Sequence, residues 1–212
     1  MTSPHPTARR NDLLKRMIDV VASSVGLLLT APLQAVIALL VAHKLGRPVL
    51  FRQQRPGRFG TPFTLIKFRT MREFDPEAGL ISDADRLTPF GSALRSASLD
   101  ELPTLWNVLR GDMSLVGPRP LMLQYLERYT PQQARRHDVR PGISGLAQVS
   151  GRNALTWEQK FAADIEYVDR RNVWLDLKIL LLTAWSVVRR DGISAPGSDT
   201  MPEFFGASDG CG

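Results

Sequence analysis

The sequence predicts a mostly helical α+β protein in which an N-terminal re-entrant membrane segment, a helix-break-helix, packs on a small cytoplasmic domain with interfacial amphipathic helices. Three observations predict this fold: a long apolar run near the N-terminus, basic residues on both of its flanks, and short strand and helix patterns in the remainder. The predicted boundaries are 1–47 for the anchor, 48–191 for the cytoplasmic domain and 192–212 for a C-terminal tail.

The apolar run extends from Val20 to Ala42 and consists almost entirely of Val, Ala, Leu and Ile. A membrane-crossing helix needs about 20 such residues. The apolar part of a cleaved signal peptide spans only about 7–15 residues and ends in small residues at the cleavage site. Here the run is followed by basic residues, beginning at His43 and Lys44. The sequence therefore predicts a retained membrane segment.

Both flanks of this run are basic: Arg9, Arg10, Lys15 and Arg16 precede it, and Lys44, Arg47, Arg52, Arg55 and Arg58 follow it. Basic flanks stay in the cytoplasm, and a straight span can keep only one of them there. Pro32, near the middle, removes a helix hydrogen bond and favours a kink. We therefore expect a hairpin that bends near Ala31 and Pro32 and leaves on the side it entered. An ordinary single span and a buried core helix are the alternatives.

The composition restricts the chemistry of the domain. A formal net charge of +6 suits anionic partners such as phosphates, acidic lipid headgroups or nucleic acid, and charge alone does not choose among them. The single cysteine, Cys211, excludes a disulfide framework and indicates a reducing compartment. The three histidines are too far apart in sequence for a zinc site, so carboxylates must hold any metal.

After the anchor, residues 48–68 are predicted to form two strands around a basic turn at 55–60. Residues 72–91 are predicted to form a loop with at most one short helix. Helices are expected within the segments 99–109, 121–129, 157–171 and 174–188, and Gly- and Pro-rich loops at 111–120 and 140–152. The last helix has too few apolar residues to span a bilayer. Its Trp174 and Trp185 predict packing at the membrane interface.

The sharpest chemical signal is a pair of adjacent carboxylates, Asp100 and Glu101, five and six residues after Arg95. On its own this pair also fits a helix start, because Ser98 with Glu101 matches a capping box. Nearby, Pro118 and Pro120 enclose Arg119 in a stiff stretch.

A second loop carries Gly142, Gly145 and Gly151 before Arg152, where backbone groups are expected to approach phosphates closely. Rigidly held arginines around paired carboxylates suit a diphosphate beside Mg²⁺.

Four ordered motifs carry a resemblance that covers residues 15–190: KFRTM at 67–71, LDELP at 99–103, NVLRGDMSLVGPRPL at 107–121 and RPGISGLAQ at 140–148. Together they resemble the bacterial sugar transferase family, the monotopic phosphoglycosyl transferases that use a polyprenyl phosphate acceptor. The resemblance implies transfer of a sugar 1-phosphate from a UDP-sugar to undecaprenyl phosphate, with release of UMP. It also implies a re-entrant anchor in the bacterial inner membrane and a catalytic domain on its cytoplasmic face among the membrane lipids.

The resemblance further implies roles for individual residues. Asp100 matches the nucleophile that forms a covalent phosphosugar intermediate, and Glu101 helps to position Mg²⁺ or to orient Asp100, so both carboxylates are the expected metal ligands. The implied substrate-binding residues are the phosphate-binding Arg95, Arg119 with Pro118 and Pro120 on the nucleotide side, the donor-site Arg152, and Lys67 and Arg69 near lipid or donor phosphate.

The sugar is less well specified by the sequence. Residues 151–153 and 192–204 are similar to the small family members that use UDP-diacetylbacillosamine, and other UDP-acetamido sugars or UDP-galactose stay open. A homodimer is compatible with the sequence.

Two other functions compete with this interpretation. Asp83 and Asp85 form an Asp-x-Asp motif, which in metal-dependent glycosyltransferases binds a diphosphate through a metal and predicts release of a nucleoside diphosphate. A non-enzymatic basic membrane adaptor fits the charge equally well. Nucleic acid is not an expected partner, because the chain lacks the interleaved aromatic and basic residues on which bases stack.

Overall fold

A computed structural model describes residues 6–151, 155–189 and 203–206. The α-helices are α1 Pro6–Leu45, α2 Asp83–Arg86, α3 Pro89–Ser96, α4 Leu105–Arg110, α5 Pro131–Ala134, α6 Leu146–Ser150, α7 Trp157–Arg170 and α8 Val173–Arg189. The strands are β1 Leu50–Pro56, β2 Pro62–Phe68, β3 Ser114–Val116 and β4 Gly142–Ser144, and 3₁₀ helices cover Arg58–Gly60, Leu99–Thr104, Leu123–Arg128 and Arg135–Asp138. The mostly helical α+β class is confirmed.

Helix α1 buries only one of its faces. Asp19, Ser23, Ile37 and Val41 are all at most 3% exposed, and their spacing keeps them on one side of a helix with 3.6 residues per turn. Aliphatic side chains such as Leu28 cover the other side and are exposed. In the part of the chain that the structure describes, α1 is the one helix long and apolar enough to cross a membrane, and 11% of its most apolar window is buried. This exposure argues against the buried core helix.

The N-terminal part of α1 is held by charged side chains. Lys15 Nζ lies 2.6 Å from Asp176 Oδ2 of α8, and Asp19 Oδ1 accepts a 3.0 Å hydrogen bond from the backbone of Leu115 in β3. Arg16 donates bonds of 2.6 and 2.7 Å to carbonyls in the last turn of α4, where a cation also suits the helix dipole. This end of α1 is therefore fixed to three separate elements.

The C-terminal end of α1 is held by Arg69, at the end of the hairpin. Its guanidinium donates to the Leu45 carbonyl and, at 3.3 Å, to the Arg47 carbonyl. Between the two ends α1 stays helical through Pro32, so the predicted break does not interrupt the helix. The re-entrant path itself stays a prediction.

Strands β1 and β2 form the predicted antiparallel hairpin. On the other edge of β2, the backbone groups form hydrogen bonds with side chains instead of with a third strand. Asn107 donates to the Thr64 carbonyl at 2.8 Å and accepts from the Ile66 amide at 3.1 Å. Thr104 donates to the Ile66 carbonyl at 2.9 Å. Because buried backbone groups need partners, these bonds fix the segment from the 3₁₀ turn to α4 on the hairpin.

The two Gly-rich loops pack on each other through the parallel pair β3 and β4. A Cβ on Gly142 would lie 2.1 Å from the Gly117 amide nitrogen, and one on Gly145 would lie 2.4 Å from the Gly117 carbonyl oxygen. Glycine at these positions therefore allows two backbones to touch. This packing explains Gly142 and Gly145 without a ligand, and the expected approach of backbone groups to a phosphate stays a prediction.

The structure differs from the predicted elements in four segments. The segments 99–109 and 121–129 are helical but largely 3₁₀, and the loops 111–120 and 140–152 contain three-residue strands and α6. Such short strands leave no readable alternation. Helices α7 and α8 match the predicted helices within one residue at each end.

In the predicted loose tail, two of the described residues 203–206 are held by the domain, Glu203 through an ion pair and Phe204 through burial. Phe204 is 3% exposed and packs among Tyr125, Trp157 and Phe161, with ring centroids 5.0–5.6 Å away. Glu203 accepts a 2.8 Å bond from Arg128. The expectation of a loose tail is therefore wrong at Glu203 and Phe204, because the Phe204 side chain completes an aromatic cluster of the domain.

A buried ion pair joins α7 to the 3₁₀ helix Arg135–Asp138. Arg136 donates to Asp164 Oδ2 at 2.6 and 3.0 Å, and the two side chains are 2% and 5% exposed. The same guanidinium donates to the Arg119 carbonyl at 2.8 Å. Removal of either partner leaves an uncompensated buried charge.

We expect Asp164→Asn to destabilise the protein by about 3–5 kcal/mol, because Arg136 stays buried without its counter-charge. Asp169→Asn on the same helix is the matched control: its pair with Arg135 is exposed and should contribute about 0–1 kcal/mol. Unfolding of the detergent-solubilised protein followed by circular dichroism measures both. Equal effects of the two substitutions would show that the buried pair contributes no more than a surface pair.

Candidate active site

The paired carboxylates lie in the 3₁₀ turn Leu99–Thr104, which begins at Ser98 in a left-handed conformation with φ 54°. The Ser98 side chain makes no capping bond. The alternative interpretation of Ser98 and Glu101 as a capping box is therefore wrong. In a 3₁₀ helix successive side chains point about 120° apart, since there are about three residues per turn. Asp100 and Glu101 therefore face different surroundings.

Glu101 is bound by two cations. Its Oε1 accepts from Lys67 Nζ at 2.5 Å and from Arg119 Nη2 at 2.9 Å, and its side chain is 18% exposed. Burial alone would raise the pKa of Glu101, but Arg119 and Lys67 outweigh it and bring the pKa down to about 2. Glu101 is therefore a fixed anion that joins β2 to the loop of Arg119.

Asp100 is 8% exposed, and its carboxylate accepts no hydrogen bond from the residues that the structure describes. Burial raises the pKa of Asp100, and the neighbouring Lys67 charge opposes this shift only in part. Arg119 and Arg95 act in the same direction as Lys67. The result is a desolvated carboxylate surrounded by cations but bonded to none of them, which leaves it available to react.

Lys67 lies at the end of β2, largely buried, and burial lowers its pKa while Arg119 adds to that effect. Arg95 ends α3 and donates from Nε to Thr70 Oγ1 at 3.0 Å. The charge of Arg95 lowers the pKa of the Asp100 carboxyl, opposing the effect of burial. The structure thus brings the two predicted residues to the carboxylate pair.

Arg119 is held in place by its backbone. Pro118 and Pro120 are buried, the Pro118 carbonyl accepts a 3.0 Å bond from the Gly142 amide, and the Arg119 carbonyl accepts from Arg136. The Arg119 side chain is 47% exposed and reaches Glu101. The loop therefore presents one guanidinium from a fixed main chain, as the sequence predicts.

Arg69, a predicted binding residue, is not brought to this cluster. Arg69 is 7% exposed and engages the carbonyl end of α1 and Glu73, at 3.2 Å, so its contacts are structural and its predicted contact with phosphate stays a prediction. Arg152 lies outside the described residues.

A divalent cation has a limited set of donors here. Among the residues that the structure describes, no group of three or more His, Cys, Asp or Glu side chains converges. Asp100 and the second oxygen of Glu101 nonetheless fit Mg²⁺, which is commonly held by one or two carboxylates together with substrate phosphates. Asp83 and Asp85 both lie in the first turn of α2, where Asp85 and Ser82 form a capping box that gives Asp85 a structural role without a metal.

Several residues that shape the site were not singled out by sequence reasoning. Thr104 and Asn107 orient the carboxylate turn, and Arg136 with Asp164 supports the Arg119 loop. Asn107 could have been found from the sequence, because a polar residue at an apolar position of a helical pattern indicates a buried hydrogen bond. Arg136 had no such signal, because a run of two arginines and a histidine looks like a solvated face.

The sequence profile described as "Bacterial sugar transferase" matches residues 10–190 of the chain. The uncharacterized sugar transferase EpsL of Bacillus subtilis is 50% identical over 198 residues, which cover 93% of this chain and 98% of that protein. The UDP-glucose:undecaprenyl-phosphate glucose-1-phosphate transferase of Caulobacter vibrioides is 46% identical, with 85% and 72% covered.

The undecaprenyl-phosphate galactose phosphotransferase of Salmonella typhimurium is 38% identical over 203 residues, which cover 87% of this chain and 42% of that protein. The family is indicated by the profile match over most of the chain and by the near full-length similarity to EpsL. The cluster of Asp100 and Glu101 is consistent with that family. The chain belongs to the bacterial sugar transferase family.

Proposed function

We propose that this enzyme transfers a sugar 1-phosphate from a UDP-sugar to undecaprenyl phosphate and releases UMP. The observation that carries the proposal is the contrast between the two carboxylates: Glu101 is bound by Lys67 and Arg119, whereas Asp100 is desolvated and free of hydrogen bonds from the described residues. Relatives that share 46% and 38% identity carry the names of undecaprenyl-phosphate glucose and galactose phosphotransferases. The general reaction therefore fits both the site and the family.

In the proposed first step an Asp100 oxygen attacks the phosphorus that bears the sugar. The bond between this phosphorus and the oxygen bridging it to the nucleotide breaks, and UMP leaves with the electron pair. A carboxylate must approach an anionic diphosphate, so nearby cations are needed to reduce the repulsion. Lys67, Arg119 and Arg95 surround Asp100 in this way.

In the second step a phosphate oxygen of undecaprenyl phosphate attacks the same phosphorus and displaces the Asp100 carboxylate. Glu101 keeps its charge throughout, since its pKa of about 2 lies far below neutrality. It therefore holds Lys67 and Arg119 in place in both steps. Mg²⁺ bound by Asp100 and Glu101 would supply further neutralisation of the diphosphate charge.

The contacts of α1 support the proposed re-entrant topology. A straight helix from Arg16 to Leu45 would be about 43 Å long, whereas the hydrocarbon core is about 30 Å thick. Both of these residues contact the same domain. A helix that crossed the bilayer would carry one end away from a domain on the cytoplasmic side, so the paired contacts favour an anchor that enters and leaves on one side.

The exposed face of α8 extends the proposed membrane contact. Trp174, Leu177, Leu181 and Trp185 are 45–80% exposed, and α8 is joined to α1 by the pair of Lys15 and Asp176. Tryptophans at the edge of an apolar face are typical of helices at the lipid headgroup level. The proposed site thus lies beside the cytoplasmic surface of the membrane.

The donor experiment uses purified enzyme, undecaprenyl phosphate, Mg²⁺ and a panel of UDP-glucose, UDP-galactose and UDP-diacetylbacillosamine. The names of the relatives favour a hexose donor, and the similarity at residues 151–153 and 192–204 favours the acetamido sugar. Release of UMP supports the proposal. Release of UDP would instead indicate the Asp-x-Asp glycosyltransferase, and the absence of any nucleotide product with every donor would favour the adaptor.

Asp100→Asn should reduce UMP release by at least about 10³-fold, because an amide is a poor nucleophile and forms no phosphosugar adduct. Asp85→Asn is the matched control, since Asp85 is part of an exposed helix cap. Intact-protein mass spectrometry after incubation with donor alone should detect an adduct in the wild type and in the control. Substantial turnover by the Asn variant would refute the nucleophile assignment.

The pH profile should report the ionisation of Asp100. Because the folded-state pKa of Asp100 is raised, the reactive anion is lost as pH falls through that raised value, and kcat declines on the acid side. Glu101→Gln removes a neighbouring negative charge and frees two cations, so the acid limb should move to lower pH while kcat falls. Glu73→Gln, at an exposed carboxylate, should leave the limb in place. An unmoved limb in the Glu101 variant would contradict the proposed coupling.

The topology can be tested by cysteine labelling in a Cys211→Ser background. Thr7→Cys and Arg47→Cys, one at each end of α1, should both react only with a membrane-permeant reagent in intact cells. A residue 7 that reacts with an impermeant reagent from the periplasm would establish a single span.

A further inference from the structure

The face of the hairpin that presents Lys67 also carries a second basic residue, Arg55. In the antiparallel register Arg55 lies opposite Phe63 and Lys67 opposite Phe51. Directly opposed residues share a face, and so do residues separated by an even number of positions along a strand. Lys67 and Arg55 are therefore both on the face that meets Glu101, and about 13 Å of β2 separates their positions.

The contacts of Arg55 are those of a cation without a counter-charge. Its Nη1 donates to Met122 Sδ at 2.9 Å and its Nη2 to Gln53 Oε1 at 2.6 Å, and both acceptors are neutral. Its Nε is buried without a hydrogen-bond partner among the described residues. No carboxylate of the described chain lies within ion-pair distance of Arg55. Such an arrangement costs stability, because desolvated donors and charges need partners.

A second guanidinium lies close by. Met122, which Arg55 contacts, follows Arg119 by three residues on the same loop. Burial lowers the pKa of Arg55, and the positive charge of Arg119 lowers it further. Arg119 uses a single nitrogen for Glu101, so most of its donors stay available. Arg55, which has only neutral partners, and Arg119, which keeps donors beyond its bond to Glu101, together form a natural site for an anion.

We propose that Arg55 is a phosphate-binding residue of the active site, which together with Arg119 holds the nucleotide phosphate of the donor. This inference rests on the proposed function. Asp100 attacks the phosphorus that bears the sugar, so the departing nucleoside monophosphate lies on the far side of that atom. Glu101 binds Arg119, and the charge of Arg119 in turn acts on Arg55, so we expect the second arginine on the departing side. Its weak contacts with Met122 and Gln53 would be exchanged for charged hydrogen bonds when the donor binds.

The test compares Arg55→Gln with Arg52→Gln. Arg52 lies on the same strand but on the opposite face, paired with Ile66, so the two substitutions remove the same charge from the same element. Arg55→Gln should weaken UMP binding and raise the KM for the UDP-sugar by about 10-fold or more, as expected for the loss of a charged hydrogen bond. Arg52→Gln should change neither. The KM for undecaprenyl phosphate should be the same in all three proteins.

Binding of UMP and uridine, measured by calorimetry, separates the phosphate from the base. The Arg55 substitution should weaken UMP binding and leave uridine binding unchanged. An equal loss for both ligands, or an unchanged UMP affinity, would overturn the proposal. A rise in the KM for undecaprenyl phosphate alone would assign Arg55 to the acceptor phosphate and overturn the donor assignment.

Two controls keep the outcomes distinct. Arg55→Lys retains the charge but not the planar fork, so it should recover only part of the UMP affinity. Equal thermal midpoints for the Gln variants and the wild type exclude unfolding as the cause. Failure of the wild type to release UMP from any donor would contradict the proposed function, whereas the UMP and uridine comparison would still test the arginine pair.

Discussion

The Glu101 carboxylate joins segments that are far apart in the sequence. It accepts from Lys67 at the end of the hairpin and from Arg119 in the Pro-rich loop, and it lies beside Asp100 in the same turn. Lys67 and Arg119 both offset the cost of desolvating the Glu101 carboxylate, so the loss of either cation would weaken the position of this residue. Lys67 and Arg119 donate to Glu101 and not to Asp100, so the Asp100 oxygens are free of hydrogen bonds while both charges still act on them.

The positions of these groups depend on backbone contacts further out. Asn107 and Thr104 bond the free edge of β2 and thereby fix the carboxylate turn relative to Lys67. Arg136, neutralised by Asp164, fixes the main chain at Arg119. Each of the three segments in the cluster is thus supported by buried polar side chains that do not themselves face Asp100. The residues that fix the backbone are therefore different from the residues that act on Asp100.

The sequence was most informative where a pattern has a direct physical cause. The hairpin, α7 and α8 follow from alternation and helical periodicity, and the arginine held by Pro118 and Pro120 follows from the restricted backbone of proline. The roles of Asp100 and Glu101 could not be separated in the same way, because adjacent residues have identical local signals and only their neighbours in space distinguish them. The same holds for Arg69, whose motif predicts a ligand but whose contacts are with the end of α1. Close packing at Gly117 and Gly142 is likewise a property of two segments brought together, which neither segment reveals alone.

The attachment of α1 along its length has a consequence for the kinetics of the enzyme. Contacts from Lys15 to Leu45 join the helix to the domain. If α1 lies in the bilayer as proposed, the fold itself sets the height of Asp100 above the lipid, without a separate docking equilibrium. With α1 in the bilayer as proposed, the acceptor reaches the site by lateral diffusion in two dimensions. The relevant acceptor concentration is then its mole fraction in the membrane, and dilution of vesicles in the bulk solution leaves the rate of the second step unchanged.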